Sequence, residues 1–149
     1  MKELEGKTAL VTGGGKGIGR AISQALATMG ARVVVNYRSD KVAAEETAAN
    51  LPGATAYQAD VGDPAQVEAM VKAIGRVDIL VNNAGAVRDK LLIQMAPADW
   101  EELIRTDLMS AFATTSGRIT LSATSFPVAV CVAMKTAPMP PDFSSRRMS

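Results

Sequence analysis

Three glycines near the start of the chain lie where a backbone turn could bind an anion. They are Gly13, Gly17 and Gly19, within the stretch TGGGKGIG at residues 12–19. In a turn between a strand and a helix, the first glycine permits a tight exit from the strand, the second lets a pyrophosphate approach the backbone, and the third lets the helix pack closely on the sheet. The amides at the helix start would then face the anion. The alternative is a glycine-rich loop that binds nothing.

A second group with possible chemistry follows the next apolar run, where the sequence reads Asn36-Tyr37-Arg38. Sites for NAD often have an acidic residue here to bind the ribose hydroxyls, whereas a 2′-phosphate favours a nearby arginine. No acid is present, and Lys16 lies inside the glycine turn. We therefore expect NADPH to be preferred over NADH. The alternative is that Arg38 and Lys16 are only solvated charges.

The elements that would position these residues alternate between strand and helix. Apolar runs predict strands at residues 8–12, 32–37, 55–59 and 77–81. Helical patterns lie between them, at residues 18–29, 40–50 and 64–74, and another begins at Pro97 with Trp100, Leu103, Ile104 and Leu108. Asp63 before Pro64 is a typical helix start. This rhythm predicts an α/β fold with a Rossmann-like, doubly wound parallel sheet.

Composition excludes several classes of function. The chain has 149 residues, enough for one domain, with a formal net charge of +1 and 21% charged residues, which does not favour nucleic-acid binding. It contains one cysteine, Cys131, and no histidine, so an internal disulfide, a zinc site and Ser/His/Asp hydrolysis are not expected, and no metal is predicted. The charged N-terminus and the short apolar runs predict a cytoplasmic protein without a membrane segment.

The character of the chain changes after Met109. We expect a dinucleotide-binding region at residues 1–115 and a divergent tail at residues 116–149, whose last stretch, TAPMPPDFSSRRMS, is typical of disorder. The sheet would then have four or five strands and an exposed edge. The apolar segment FPVAVCVAM at residues 126–134 could pair with that edge, although such low-charge segments also aggregate.

Three motifs occur in order after successive predicted strands: TGGGKGIG, then Asp60-Val61, then NNAG at residues 82–85. Together they resemble the short-chain dehydrogenase/reductase family. The following run, GAVRDKLLIQMAPADWEELIRTDL, is similar to a narrower group, the 3-oxoacyl-[acyl-carrier-protein] reductases. The likeness covers residues 4 to about 112.

The resemblance implies a set of cofactor-binding residues for NADP(H). Six would bind the phosphates: Gly13, Gly15, Lys16, Gly17, Ile18 and Gly19. Arg38 would meet the 2′-phosphate, and Asp60 and Val61 would border the adenine. Asn83, Ala84 and Gly85 would line the ribose side and support the sheet edge beneath the nicotinamide. NNAG could also be a purely structural turn.

The resemblance further implies reduction of a 3-oxoacyl thioester on acyl carrier protein, in fatty-acid biosynthesis. The family protonates the carbonyl oxygen with a tyrosine that is followed four residues later by a lysine. This chain has two tyrosines, Tyr37 and Tyr57. Only Tyr37 has a lysine, Lys41, at that spacing, and it lies on the adenine side. The catalytic pair is therefore predicted to be missing.

Other catalytic positions also depart from the family. Asp107 stands where the family has an asparagine in a proton relay. Thr124, with Ser122 and Ser125 beside it, falls at the position of the family's catalytic serine. The family is tetrameric, but helices of its interfaces lie outside the resemblance, so a tetramer is not expected here.

These observations leave three hypotheses. The chain is a 3-oxoacyl-carrier-protein reductase by descent, truncated or frameshifted and inactive as it stands. It is a non-catalytic fragment that binds NADP(H). Or it is an interaction module whose tail docks on a partner.

Overall fold

Strands and helices alternate along the chain, as the sequence predicts. The computed structural model describes residues 2–85, 96–109 and 131–132, with the backbone alone at residues 107–109 and 131–132. The strands are β1 Thr8–Val11, β2 Arg32–Tyr37, β3 Thr55–Gln58, β4 Ile79–Asn82 and β5 Cys131–Val132. The helices are α1 Gly17–Thr28, α2 Lys41–Ala49, α3 Pro64–Ile74 and α4 Pro97–Leu103, which continues as a π-helix, Ile104–Met109.

The strands form one parallel sheet in the order β3-β2-β1-β4-β5. Leu10 in β1 lies beside Val34 in β2 and Leu80 in β4. The predicted Rossmann-like, doubly wound fold is thereby confirmed. In β5, Cys131 pairs with Val81. This strand belongs to residues 126–134, the segment predicted to be able to pair with the sheet edge; the rest of that segment lies outside the described residues.

Helices cover both faces of the sheet, and successive residues of a strand point to opposite faces. Leu10 belongs to a core that includes α3, and the next residue, Val11, belongs to a core that includes α1 and α2. The first core contains Leu10, Val34, Ala59, Val61, Val67, Met70, Val71, Val77 and Leu80. The second contains Val11, Ala27, Val33, Val35, Ala44, Ala48 and Val81. The inner strands β1, β2 and β4 are therefore mostly apolar in the sequence, whereas β3 at the sheet edge is only partly buried.

The buried residues of helix α1 are small, whereas Ile22 and Leu26, two of the large apolar residues that reveal its period, are only partly buried against the core. The buried residues are Gly19, Ser23 and Ala27, at four-residue spacing. Ile18 is 48% exposed and Met29, the residue after the helix, is 39% exposed. Small side chains let the helix axis approach the sheet and the glycine turn closely, which places the start of α1 near the end of β1.

Two helix starts are fixed by aspartates. Asp63 accepts a hydrogen bond from the Ala65 N–H (2.9 Å) with Pro64 as the first helical residue, as predicted for α3. Asp40 plays the same part for α2 through the Ala43 N–H (3.2 Å). Both caps hold their helices against the carboxyl-end loops of the sheet.

Several predicted boundaries differ from the observed ones by one residue, and two differ by more. Strand β4 starts at Ile79 rather than residue 77, although Val77 is buried in the core. The helix that begins at Pro97 is α-helical only to Leu103 and is a π-helix beyond it. Apolar spacing records which residues are buried, but it records neither strand pairing nor the number of residues per turn. Within the described ranges no helix is long and apolar enough to cross a membrane.

Candidate functional site

A cavity of about 250 Å³ opens at the carboxyl ends of β1 to β4. The strand order reverses direction between β1 and β4, and the crevice at such a switch point is the usual ligand site of open α/β sheets. Nine of the twelve residues predicted to bind the cofactor line it: Gly13, Gly15, Lys16, Arg38, Asp60, Val61, Asn83, Ala84 and Gly85. The other lining residues are Asn36, Tyr37, Ser39, Asp40, Ala43, Ala59 and Thr106. Gly17, Ile18 and Gly19 do not line it but form the adjoining first turn of α1.

The glycine turn exposes backbone at the edge of this cavity. Gly13 has φ +63° and Gly17 has φ +56°, values that other residues rarely adopt. A Cβ on Gly17 would meet nothing within 4 Å, so its backbone is open to a ligand. No side chain caps the N-terminus of α1 at Lys16, and its first turn contains no acidic residue. The unpaired amides and the helix dipole therefore favour an anion at this point.

Hydrogen bonds to one of its carbonyl groups hold the glycine turn in place, and the sequence did not indicate which residues donate them. The Gly15 carbonyl oxygen accepts hydrogen bonds from Arg20 Nε (3.1 Å) and from the Thr47 hydroxyl (2.9 Å). Arg20 Nε also lies 2.9 Å from Thr47 Oγ1. These contacts tie the turn to α2 by way of one carbonyl group. In the sequence Arg20 is one arginine on an amphipathic helix and Thr47 one polar residue on another, so no pattern identifies them.

Thr12 and Asn83 join the two strand ends that flank the cavity. The Thr12 hydroxyl donates to the Val81 carbonyl oxygen (3.2 Å) and accepts from the N–H groups of Asn83 (2.9 Å) and Ala84 (3.0 Å). Asn83 Nδ2 donates to the carbonyl oxygens of Thr12 (3.0 Å) and Gly13 (3.1 Å). The sequence pointed to Asn83 but not to Thr12, whose only signal is its place directly before the glycines.

Gly19, in the first turn of α1, must also be a glycine for steric reasons. A Cβ on Gly19 would overlap the Gly13 carbonyl oxygen and lie 2.5 Å from Asn83 Nδ2. Both atoms are fixed by their mutual hydrogen bond. The absence of a side chain at Gly19 is therefore what lets α1, the glycine turn and the loop after β4 meet.

The two cations predicted for the 2′-phosphate both reach the cavity, and each has a carboxylate partner. Lys16 Nζ lies 3.0 Å from Asp40 Oδ2, and Arg38 Nη1 lies 3.7 Å from Glu102 Oε1. The hydrogen bond from Lys16, together with the Ala43 N–H, lowers the pKa of Asp40. Asp40 is therefore ionised at neutral pH, and the cationic rim is partly neutralised.

The side of the cavity predicted for adenine is built around Asp60 and Val61. Asp60 accepts from the Gly62 N–H (2.8 Å) and lies 3.6 Å from Arg105 Nη1. Val61 is buried, at 5% exposure. Thr106, in the π-helix after α4, also lines the cavity. An apolar side chain beside polar groups fits a planar base with polar edges.

Most of the side chains predicted at catalytic positions lie outside the part of the chain that the structure describes. The Asp107 side chain lies outside the described residues, as do Ser122, Thr124 and Ser125. Tyr37 lines the cavity beside Arg38, and Tyr57 packs against the core. No group of three potential metal ligands is found in the part of the chain that the structure describes.

A doubly wound parallel sheet with a glycine turn and an uncapped helix start at its switch point defines a dinucleotide-binding α/β protein. The sequence also matches the model of the short chain dehydrogenase family over residues 7–124. The chain belongs to this family. The match extends beyond residue 112, where the likeness was expected to end, into the stretch that begins SGRI at Ser116.

Individual relatives support the assignment. The chain is 44% identical over 116 residues to the 3-oxoacyl-[acyl-carrier-protein] reductase FabG of Escherichia coli (strain K12), covering 73% of this chain and 46% of that protein. A short chain dehydrogenase from Burkholderia cenocepacia J2315, solved with NADP, superposes with a TM-score of 0.70 at 37% identity, over 74% of this chain and 49% of that one. The NADP complex of RhlG from Pseudomonas aeruginosa gives 0.68 at 36% identity, over 74% and 46%. The chain thus spans about half the length of the relatives it matches.

Proposed function

We propose that the cavity binds NADP(H). The observation that carries this proposal is the uncapped start of α1, where open backbone at Gly17 adjoins a cavity with two cations on its rim. The pyrophosphate would lie against the glycine turn, and the 2′-phosphate against Lys16 and Arg38. The adenine would border Asp60 and Val61. The NADP complexes of the two solved relatives support the choice of cofactor.

The remaining predicted residues would hold the rest of the cofactor. Asn83, Ala84 and Gly85 follow β4 at the cavity wall, where they would line the ribose side. The Asn83 Oδ1 atom is buried and has no hydrogen-bond partner among the described residues. A hydroxyl group or a water molecule could donate a hydrogen bond to this acceptor, as expected at a site that binds a ribose.

We further propose that the chain descends from the NADPH-dependent reductases that convert 3-oxoacyl-[acyl-carrier-protein] to its 3-hydroxyacyl form. The identity to the Escherichia coli enzyme supports this substrate class. When bound, the nicotinamide cofactor supplies hydride, and the protein must supply a proton to the carbonyl oxygen.

In the part of the site that the structure describes, neither tyrosine is placed to donate this proton. Tyr37 ends β2 beside Arg38, at the rim assigned to the 2′-phosphate. Tyr57 packs on the core beneath the sheet. An extended dinucleotide holds its nicotinamide far from its 2′-phosphate, so neither tyrosine would meet a substrate carbonyl. We therefore propose that this chain by itself binds NADP(H) without turning over.

Calorimetric titration of the purified chain with NADP⁺ and NAD⁺ tests the binding. Replacing Arg38 by Gln should weaken NADP⁺ binding about tenfold or more, as expected for a charge-assisted hydrogen bond, and should leave NAD⁺ binding unchanged. Arg32→Gln is the matched control, because Arg32 is an exposed arginine at the opposite end of the same strand. Absence of nucleotide binding by the parent chain, or equal effects of the two variants, would contradict the assignment.

Turnover is tested separately by following NADPH absorbance at 340 nm with a 3-oxoacyl thioester. We expect only the background decay of the cofactor. A rate above background would show that a proton donor exists and would overturn the proposal of inactivity, without affecting the binding site.

A further inference from the structure

Helix α4 and the turn after it are joined to the adenine side of the cavity by two ion pairs. Glu102 pairs with Arg38 (3.7 Å), and Arg105 pairs with Asp60 (3.6 Å). The residues of each pair are far apart in the sequence, and the sequence pattern predicted neither contact. Glu102 is the more buried member of its pair, with 25% of its side chain exposed against 49% for Arg38.

The Arg38–Glu102 pair bears directly on cofactor choice. Arg38 is the guanidinium assigned to the 2′-phosphate. Its Nη1 atom lies 3.7 Å from Glu102 Oε1, which is too long for a hydrogen bond, so the carboxylate acts on this site through its charge. A phosphate held by Arg38 would be close to that like charge, and the repulsion would weaken its binding. NAD(H) has an uncharged hydroxyl at the same position and would not be repelled in this way.

We propose that Glu102 is a specificity-determining residue that reduces the preference for NADP(H) over NAD(H) by placing a negative charge beside the 2′-phosphate site at Arg38. This inference rests on the proposed function, since it presumes that the cavity holds the adenosine end of the cofactor. Lys16 likewise pairs with a carboxylate, that of Asp40. Discrimination between NADP(H) and NAD(H) then depends on the carboxylates of Asp40 and Glu102 as well as on the cations that they pair with.

The test compares Glu102→Gln with Glu101→Gln in calorimetric titrations of the full 149-residue chain. Both variants lose one negative charge from the same helix and keep its length and helix propensity. Glu101 is exposed and, unlike Glu102, does not pair with Arg38. Because the ion pair is partly exposed, we expect Glu102→Gln to bind NADP⁺ about two- to fivefold more tightly than the parent, with NAD⁺ affinity unchanged. Glu101→Gln should change neither affinity.

The ratio of the two dissociation constants is the deciding quantity, because partial misfolding lowers the fraction of competent protein equally for both nucleotides. The gain should also shrink at 0.5 M NaCl, where exposed charges are screened. An unchanged ratio, or a gain equal to that of Glu101→Gln, would overturn the inference alone. Weaker NADP⁺ binding in Glu102→Gln would also overturn it, by showing that Glu102 positions Arg38 productively. If the parent binds neither nucleotide, the proposed function fails and this inference fails with it.

Discussion

Replacing Thr12 by Val tests whether one hydroxyl group holds the two strand ends of the site together. Thr12 is 2% exposed, and its hydroxyl accepts from the N–H groups of Asn83 and Ala84 while donating to Val81. Valine has nearly the same shape but no oxygen. The substitution therefore removes the acceptor of two N–H groups without opening a cavity.

The expected loss of stability follows from those two donors. A buried donor left without a partner costs about 1–3 kcal/mol, so the loss is about 2–4 kcal/mol if neighbouring groups relax partially. The Val81 carbonyl oxygen adds little, because it still accepts from the Thr12 N–H (3.0 Å). Thr12→Ser is the matched control: it keeps the hydroxyl and loses one buried methyl group, worth about 0.8 kcal/mol.

The assay is urea unfolding followed by circular dichroism, with the fluorescence of Trp100, the single tryptophan, as a second probe. Thr12→Val should be less stable than Thr12→Ser by at least about 1 kcal/mol. If the two variants agree within about 0.5 kcal/mol, the hydroxyl does not support the loop, and the account of the site given by these hydrogen bonds is wrong.

Two further predictions concern the turn and the acid limit of stability. Gly19→Ala should destabilise the chain by about 2–3 kcal/mol despite its better helix propensity, because its Cβ overlaps the fixed Gly13 carbonyl oxygen. Gly17→Ala meets no atom within 4 Å and should cost only about 1 kcal/mol, for its positive φ, so equal losses in urea unfolding would refute the steric argument. Burial acts to raise the pKa of Asp78, but the Thr8 N–H and the guanidinium two residues earlier outweigh it and lower that pKa. Its contribution to stability is thus present above about pH 3.9 and lost as the pH falls below it. Asp78→Asn should flatten this limb of the stability profile, and unchanged acid unfolding would contradict the assignment.

Most of the fold could be predicted because the parallel sheet is covered on both faces. Its inner strands β1, β2 and β4 are mostly buried and apolar, and the helices between them carry local signals such as the Asp63–Pro64 start of α3. The glycine spacing likewise placed the turn, because a positive φ and a close helix contact restrict residue choice at single positions. These constraints act within a few neighbouring residues, so the sequence shows them.

What the sequence did not show depends on contacts between distant segments. The bond from Thr47 to Gly15 joins residues 32 apart, and that from Asn83 to Gly13 joins residues 70 apart. The sequence does not show whether an arginine such as Arg38 faces only solvent or also pairs with a carboxylate such as Glu102. The π-helix after Leu103 was missed for a related reason, since a helical period of apolar residues does not distinguish an α-turn from a wider one.

The site therefore has two kinds of residue, with different consequences when they change. Thr12, Asn83 and Gly19 fix the backbone to which any dinucleotide would bind, so their substitution should reduce stability and should weaken NAD⁺ and NADP⁺ binding together. Arg38 lines the cavity, and Glu102 Oε1 lies 3.7 Å from its Nη1 atom. Neither side chain fixes the backbone of the turn, so their substitution should change the ratio of the two affinities at nearly constant stability. Plotting that ratio against the free energy of unfolding for all these variants would separate the two groups. A backbone-fixing variant that alters the ratio alone would show that the backbone of the turn recognises the 2′-phosphate in addition to the side chains of Lys16 and Arg38, contrary to the division drawn from these contacts.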